Sequence, residues 1–273
     1  MTIRYGTSGN PPNFYKSEFR KDIMNAPEWI NSIGLNAYER LMTYGARMKE
    51  EKAIELGKKA KKLDVQLTVH APYYIVFTSE KDRVIENSKK ECLKTAYLSG
   101  LMKSKKIILH PGFGINIKKF IKNIKIIEKD LTKGVTVCPE TMGKLSQLGS
   151  VEEVVTICEQ TECTPCIDFG HVHAREQGSL KTESRYREIL ELIEKKLGKQ
   201  VLKDLHCHFY PVEYTDKGEK MHRAVTEKNV FPQFKHLAPL IKEFGMKPTF
   251  ISESRDSQDI GALQMQKMMK NLD

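Results

Sequence analysis

The sequence predicts a single (β/α)8 barrel that spans residues 1–273. The main observation is an alternation, repeated eight times, between a short apolar run rich in β-branched residues and a longer amphipathic stretch. Such alternation is typical of parallel βαβ units, and eight units favour a closed barrel over an open doubly wound sheet. The length of 273 residues is close to the ~250 that such a barrel takes. Since no linker or short repeat divides the chain, we expect one domain.

The elements follow one another regularly. The predicted strands cover residues 3–5, 37–40, 66–69, 106–109, 135–139, 166–167, 201–205 and 248–252. The predicted helices cover residues 26–33, 49–63, 81–102, 117–131, 151–159, 184–197, 234–244 and 257–271. Ser150 before Glu152 and Glu153 resembles a capping box at a helix start. The polar segments 6–24 and 209–232 are long for loops, and long loops at the carboxyl ends of barrel strands usually carry function.

Composition narrows the class of protein. The hydrophobic fraction of 40% and the charged fraction of 29% are typical of soluble globular proteins. No apolar run approaches the ~18 residues of a membrane span, and the first residues lack the apolar core of a signal peptide. We therefore expect a cytoplasmic protein without membrane contact. Cys163 and Cys166 form a CxxC pair, for which a zinc or redox site is the less favoured interpretation. Cys138 and Cys166 fall inside apolar strand patterns, so we interpret them as small core residues.

The net charge of +10 has two interpretations. It suits a polyanionic partner such as nucleic acid, because neutralising phosphates releases counterions. It is equally compatible with a lysine-rich surface that has no specific partner. Charge alone does not decide between them.

Potential metal ligands stand at the ends of six successive predicted strands, from the third to the eighth. They are His70, His110, Glu140, Asp168 with His171 just beyond, His206 with His208 two residues on, and Glu253. In a barrel these strand ends meet at one mouth, where active sites lie. A single histidine there is usually a hydrogen-bonded structural residue, but burying six polar groups without compensation would be costly. The pattern therefore predicts a metal cluster.

The ligand types indicate the metal and the chemistry. Imidazole and carboxylate without thiolate suit zinc or manganese. Glu140 lies between the His70/His110 pair and the Asp168/Glu253 pair in strand order, so we expect it to bridge two ions. A hydroxide activated by those ions would be the nucleophile of a hydrolysis. Together with the positive charge, this arrangement predicts a phosphodiester substrate.

At this point the sequence resembles the endonuclease IV family of apurinic/apyrimidinic endonucleases, in its archaeal-type branch. The resemblance covers nearly the whole chain and is carried by GTSGNPP, TVHAPYY, ILHPG, PETMGKLSQLGS, CIDFGHVHAR, DLHCHF, YTDKGEKMH and ISES. It implies a barrel with three zinc ions that cleaves double-stranded DNA 5′ to abasic sites. By this resemblance, the DNA is kinked and the damaged nucleotide swings into the pocket.

The resemblance also assigns ligands, residue by residue. His70 and His110 would bind the first ion, and Glu140 would bridge the first and second ions. The second ion would take Asp168, His206 and Glu253. The third ion would take His171 and His222. His173 and His208 are further candidates, with a supporting or structural role favoured for both.

One position departs from the family pattern. The family places an Asp two residues before the second histidine of the third site, and here that residue is Lys220. The third site is then weak, empty or completed by another group such as Glu219. Alternatively, the Lys220 ammonium replaces the charge of the third ion on a phosphate. We therefore expect two zinc ions, with the third undecided and manganese as another option.

Four residues are predicted to contact DNA. Tyr73 matches a family tyrosine that enters the DNA beside the abasic site. Asn10 belongs to a first loop that would meet the DNA, and Lys220 would meet a phosphate. Arg47, placed at the start of the second helix, would either bind phosphate or pair with a carboxylate. We expect the protein to act as a monomer.

Two other functions remain open. Sugar isomerases and epimerases of the xylose-isomerase-like barrels also place His, Glu and Asp at strand ends around divalent ions, and one scaffold hosts many reactions. The His70–His110 pair, Glu140 and the positive charge favour the nuclease, whereas Lys220 keeps the isomerase open. A third hypothesis is a protein that binds abasic DNA without cutting it.

Overall fold

The computed structural model describes residues 2–272, and it contains an eight-stranded parallel sheet curled into a barrel. The barrel strands are β1 (Arg4–Ser8), β2 (Ala37–Leu41), β3 (Gln66–His70), β4 (Lys106–Leu109), β5 (Thr136–Pro139), β6 (Cys166–Asp168), β7 (His206–His208) and β10 (Thr249–Ser252). A separate antiparallel hairpin is formed by β8 (Val212–Thr215) and β9 (Gly218–His222).

The strand order shows how the barrel closes. Neighbours run β5-β4-β3-β2-β1-β10-β7-β6, and each neighbouring pair is parallel. β5 and β6 stand at the two ends of this order, and a parallel bridge between Glu140 and Cys166 connects them. The predicted (β/α)8 barrel is therefore confirmed, and the carboxyl ends of all eight strands face one mouth.

Helices surround the barrel. They are α1 (Pro12–Lys16), α2 (Ala26–Ser32), α3 (Glu50–Lys62), α4 (Asp82–Leu101), α5 (Ile117–Glu128), α6 (Val151–Gln160), α7 (Phe169–Arg175), α8 (Glu183–Leu197), α9 (Lys199–Lys203), α10 (Ala238–Glu243) and α11 (Gln258–Lys270). Short 3-10 turns cover Glu18–Lys21, Ile23–Asn25 and Phe234–His236. The last of these turns replaces the first part of the helix predicted over 234–244.

The core lies between the strands and the inner faces of the helices. In α8 the buried residues are Tyr186, Ile189, Leu190 and Ile193, which form the single apolar stripe of an amphipathic helix. The six cysteines are all buried as free thiols. In the described part of the chain, no helix is both long and apolar enough to cross a membrane.

The predicted start of α6 is confirmed in atomic detail. The Ser150 hydroxyl accepts a hydrogen bond from the Glu153 backbone N–H at 3.1 Å, and the Glu153 carboxylate accepts one from the Ser150 N–H at 2.8 Å. This reciprocal pair is a capping box, which satisfies N–H groups that the helix itself leaves without partners.

The seventh strand is the main correction to the predicted elements. Residues 201–205 were predicted as a strand, but Lys199–Lys203 is the helix α9, and the strand is His206–His208. Gly198, with φ of 89°, ends α8 and allows the chain to enter α9 directly. The apolar pair Val201 and Leu202 had been taken for strand residues, although a short apolar run fits a buried helix equally well. His206 therefore begins a strand instead of ending one.

Candidate metal centre

The mouth of the barrel holds a cavity of about 450 Å³. Its lining combines predicted ligands with polar and aromatic residues from several loops: Ser8, Leu41, Thr43, His70, Ala71, Tyr73, His110, Met142, Lys144, Gln147, His171, Glu219, Lys220, His222, Glu253 and Gln258. This is the place where side chains from different strands can act together.

Glu140 lies at the centre of the cluster. It directly follows β5, and its side chain is 1% exposed. Its Oε2 lies 3.3 Å from His70 Nε2 and 3.0 Å from His110 Nε2, while Oε1 lies 2.9 Å from His208 Nδ1. One carboxylate thus faces imidazoles from three strands. We call His70, His110 and Glu140 the first group.

The first group fits a divalent ion. Its three ligand atoms lie within 4.8 Å of one another. Although Glu140 Oε2 is buried and close to two imidazole nitrogens, it makes no hydrogen bond of acceptable geometry with any described residue. Buried polar atoms are normally paired, so a cation held here would supply the partner that this oxygen lacks. Two imidazoles and a carboxylate suit zinc or manganese.

The charges of the first group are mutually dependent. Burial by itself would raise the pKa of Glu140, but the positive charges of His208 and His110 hold it well below its usual range. Burial would lower the pKa of His70, but the adjoining Glu140 carboxylate, with an oxygen 3.3 Å from His70 Nε2, raises it to about 9. A cation bound to the first group would displace protons from its imidazoles, and its charge would then balance that of the Glu140 carboxylate.

The second group consists of Asp168, His208 and Glu253. His208 Nδ1 lies 3.7 Å from Asp168 Oδ2 and 3.6 Å from Glu253 Oε1. The register of β6 and β7 sets this arrangement, because Asp168 pairs with His208 whereas Cys166 pairs with His206. His208 therefore occupies the place that the sequence had assigned to His206.

His206 lies deeper in the barrel. Its Nε2 is 2.9 Å from Glu39 Oε2, and its side chain is fully buried. The side chains at positions 206 and 208 point to the same side of β7, because alternate residues of a strand share a face. They are nevertheless two residues apart along the strand, so they lie at different depths in the barrel. The structure thus places His208 rather than His206 beside Asp168 and Glu253, and the misplaced seventh strand accounts for the difference.

Glu39 was missed in the sequence. It is fully buried in β2 and accepts a hydrogen bond from the Thr68 hydroxyl at 2.8 Å. Burial would raise the pKa of Glu39, but the charge of His208 and the hydrogen bond from His206 lower it below the usual range. A glutamate inside a predicted apolar strand was the available signal, because such a carboxylate is rarely buried without partners.

The third group consists of His171, Glu219 and His222. Glu219 Oε2 lies 3.1 Å from His171 Nε2, and Oε1 lies 3.2 Å from His222 Nε2. Burial would raise the pKa of Glu219, but its hydrogen bonds to both histidines lower it below the usual range. The three ligand atoms lie within 4.8 Å of one another. Of the alternatives left open by Lys220, this arrangement supports completion by Glu219.

A β-bulge explains how Glu219 reaches the site. In the hairpin, Tyr214 pairs with Glu219 and Glu213 pairs with Met221, so Lys220 is an extra residue on β9. Such an insertion reverses the side-chain alternation. It places Glu219 on the same face as His222, three residues away, and the Lys220 ammonium lies 2.6 Å from a Glu213 carboxylate oxygen.

A glycine lets the hairpin come close to the barrel. The backbone N–H of Glu219 donates to the Gly143 carbonyl at 3.0 Å. A Cβ at position 143 would lie 2.6 Å from the Glu219 Cβ and 3.0 Å from a ring carbon of His171. The glycine of the PETMG segment is therefore required by the packing of the third group.

Backbone carbonyls orient three of the candidate ligand histidines. The Nδ1 atoms of His70, His171 and His222 lie 2.9, 2.8 and 3.0 Å from the carbonyl oxygens of Ala71, Thr141 and Glu253. Since a carbonyl can only accept, Nδ1 donates in each case and Nε2 is left with a lone pair directed into the cluster. This is the usual support of metal-binding histidines.

The predicted DNA-contact residues are distributed unevenly. Tyr73 is 53% exposed and lines the cavity, with the ring of the 76% exposed Tyr44 at 6.4 Å. Lys220 also lines the cavity, whereas Asn10 and Arg47 are not part of its lining. Arg47 lies in the loop before α3 rather than in the helix, because the helix begins at Glu50.

His173 is not part of any ligand group. Its Nδ1 accepts a hydrogen bond from the Leu180 backbone N–H at 3.1 Å, and its ring stacks on Phe231. Burial and the nearby Lys181 lower its pKa to about 4, despite an opposing effect of Glu176. His173 is thus a neutral structural histidine.

Comparisons with known proteins place the chain in a family. The family model of the xylose isomerase-like TIM barrels matches residues 27–272. An uncharacterized protein of Methanocaldococcus jannaschii is 31% identical over 263 residues, which cover 93% of this chain and 92% of that protein. The probable endonuclease 4 of Mycoplasma pneumoniae is 31% identical over 155 residues, and this alignment covers 52% of each protein.

Solved structures show the same fold. Endonuclease IV from Thermus thermophilus has a TM-score of 0.72 at 14% identity, with 98% of this chain and 99% of that chain covered. A D-tagatose 3-epimerase-like protein has a TM-score of 0.71 at 16% identity, with 99% and 98% covered. The resemblance to the endonuclease IV family is confirmed, and the chain belongs to the family of xylose isomerase-like TIM barrels.

Proposed function

We propose that this protein is a metal-dependent phosphodiesterase that incises double-stranded DNA 5′ to abasic sites. The observation that carries the proposal is the contact between three ligand groups in one mouth. His208 of the second group and His171 of the third lie 2.9 and 3.5 Å from the same Glu140 oxygen. Ions held by groups this close together would suit displacement at phosphorus, where charge develops on both the attacking and the leaving oxygen.

The residues have separate roles in this proposal. Bound zinc or manganese ions would supply Lewis acidity and a water of lowered pKa. Glu140 offers one oxygen to the first group and the other to His208, so it holds the first two groups at a fixed separation. His171 and His222 keep their Nε2 atoms directed inward by donating from Nδ1 to carbonyls. Glu219 supplies the carboxylate of the third group.

The surroundings of the mouth support a nucleic-acid substrate. Tyr44 and Tyr73 present exposed rings beside the cavity, and base–aromatic stacking is a common way to hold an unpaired nucleotide. Lys144 and Lys220 line the same cavity, and the net charge of the chain is +10. These features fit a phosphate backbone near the ligand groups.

A sugar epimerase is the second candidate. The D-tagatose 3-epimerase-like structure covers the chain almost as well as endonuclease IV does. Three ligand groups and exposed rings at the rim favour DNA over a small sugar. A protein that binds abasic DNA without cleavage is the third candidate.

One experiment separates the three. A duplex with a single tetrahydrofuran abasic analogue is incubated with the metal-loaded protein, with and without a chelator. Chelator-sensitive incision that leaves a 3′-hydroxyl on the 5′ side of the lesion supports the proposal. Binding without incision supports the third candidate. Epimerisation of a free ketose without binding of the duplex would refute the proposal.

Elemental analysis of the purified protein gives the identity and number of the ions, for which we propose zinc. Affinity for the duplex should fall steeply with salt if phosphate contacts dominate. We also propose a cytoplasmic monomer, which light scattering and cell fractionation would test.

A further inference from the structure

A buried carboxylate lies directly beneath the candidate metal centre. Glu39 points into the barrel from β2, where interior positions are normally filled by branched apolar side chains. Its Oε2 accepts from the Thr68 hydroxyl and lies 2.9 Å from His206 Nε2. The other oxygen, Oε1, lies 3.0 Å from His208 Nε2. Thr68 and His206 thus fix the carboxylate so that one oxygen is left for His208.

His208 is turned the opposite way from the other ligand histidines. His70, His171 and His222 direct Nε2 into the cluster and donate from Nδ1 to a backbone carbonyl. His208 directs Nδ1 into the cluster, 2.9 Å from Glu140 Oε1, and its Nε2 faces Glu39. The ring nitrogen of His208 that points away from the cluster thus faces a side-chain carboxylate, whereas the corresponding nitrogens of the other three histidines face a backbone carbonyl oxygen.

The two atoms that face each other have no competing partner. His208 Nε2 and Glu39 Oε1 are both buried, and neither makes another hydrogen bond of acceptable geometry among residues 2–272. Their separation of 3.0 Å is that of a hydrogen bond, although the N–H direction is not aligned with the oxygen. Since leaving both groups unpaired would be costly, a small rotation of the ring is expected to align them.

We propose that Glu39 is a positioning residue of the metal centre, which holds the hydrogen of His208 on Nε2 and so directs the Nδ1 lone pair to the second ion. The negative charge also makes the imidazole a stronger donor than a carbonyl partner would. The proposal rests on the metal centre proposed above, but it does not depend on the DNA substrate.

The first test measures ion binding without reference to catalysis. The chain is stripped of metal, and cobalt(II) is titrated while visible absorbance and heat are recorded. Glu39→Ala should weaken one binding step by about 10–100-fold and leave the others unchanged, in line with the usual effect of removing such a partner. Glu39→Gln should recover most of this affinity, because its amide oxygen can still accept from Nε2.

Thr68→Val is the matched control, since it removes another hydrogen bond of Glu39 but leaves His208 its partner. It should change each binding step less than about threefold, far below the effect expected for loss of the histidine's own partner. Unchanged cobalt binding in a folded Glu39→Ala variant, or an equal loss in Thr68→Val, would overturn the proposal.

The second test is made on the unmodified chain, and a variant serves only to assign signals. Long-range ¹H–¹⁵N spectra of the zinc-loaded protein report which ring nitrogen of each histidine is protonated, and a His208→Gln spectrum assigns the His208 signals. We expect a protonated Nε2 and a metal-bound Nδ1. A metal-bound Nε2 would refute the role of Glu39. If the unmodified chain bound no ion, the metal centre itself would fail, whereas ion binding without DNA incision would contradict only the substrate assignment.

Discussion

Replacing Glu219 with Gln tests whether the third group holds an ion. The carboxylate oxygens lie 3.1 and 3.2 Å from the two imidazoles, and the side chain is only 16% exposed, so solvent screens its charge weakly. A unit charge about 4 Å from another is worth about 4 kcal/mol at an effective dielectric of about 20. A cation bound between these residues would be at least as close. Loss of the charge should therefore weaken its binding about a thousandfold.

The assay is equilibrium dialysis of the metal-stripped protein against zinc buffers, with the bound ions counted by elemental analysis. Glu219→Gln should bind one ion fewer than the unmodified chain at micromolar zinc. Lys220→Ala is the matched control, because the Lys220 ammonium pairs with Glu213. It should keep the full number of ions. Unchanged binding in Glu219→Gln, or an equal loss in Lys220→Ala, would show that the bulge does not place a ligand.

The same geometry leads to four further expected outcomes. Glu140→Gln should abolish incision while circular dichroism still shows a folded barrel, and retained incision would contradict a bridging role. Metal affinity should rise with pH up to about 9, because a bound ion must displace the proton of His70, whose pKa is raised to about 9. In the metal-free protein, the stability that this proton confers is fully present below about pH 6.5 and is lost as the pH rises through about 9. Thermal melts of the metal-free and metal-loaded proteins should therefore diverge between these two pH values. Tyr73→Ala should weaken binding of the abasic duplex by about 1–3 kcal/mol in a fluorescence assay, whereas Tyr15→Ala, at a similarly exposed tyrosine outside the cavity lining, should not. Gly143→Ala should lose one ion in the dialysis assay, and a full complement would refute the packing argument.

The sequence predicted the barrel, and it placed most of the candidate ligands at one mouth, because strand ends are a simple feature. Each parallel strand ends at the same mouth, so a polar residue after an apolar run is enough to place a ligand. This rule placed His70, His110, Glu140 and Asp168 together at the mouth, as the structure has them.

The same rule failed where the strand itself was misplaced. His206 and His208 are both inward residues of β7, and only the pairing with β6 shows which of them lies level with Asp168. Register between distant strands depends on the whole barrel, so the spacing of two histidines within a tripeptide cannot reveal it.

Glu219 was harder to place for a different reason. An ordinary strand repeat puts residue 220 on the face of His222, and that residue is a lysine. The bulge that brings residue 219 there instead is a property of the pairing with β8, which the sequence of β9 alone does not specify.

The way in which the histidines are held makes them unequally vulnerable to mutation. His70, His171 and His222 depend on carbonyl groups of the main chain, which every amino acid possesses. No replacement of a neighbouring side chain can remove those acceptors. His208 depends on the carboxylate of Glu39, which a single base change in the gene can delete. Among these four histidines, it is the one whose orientation is encoded by another residue's side chain.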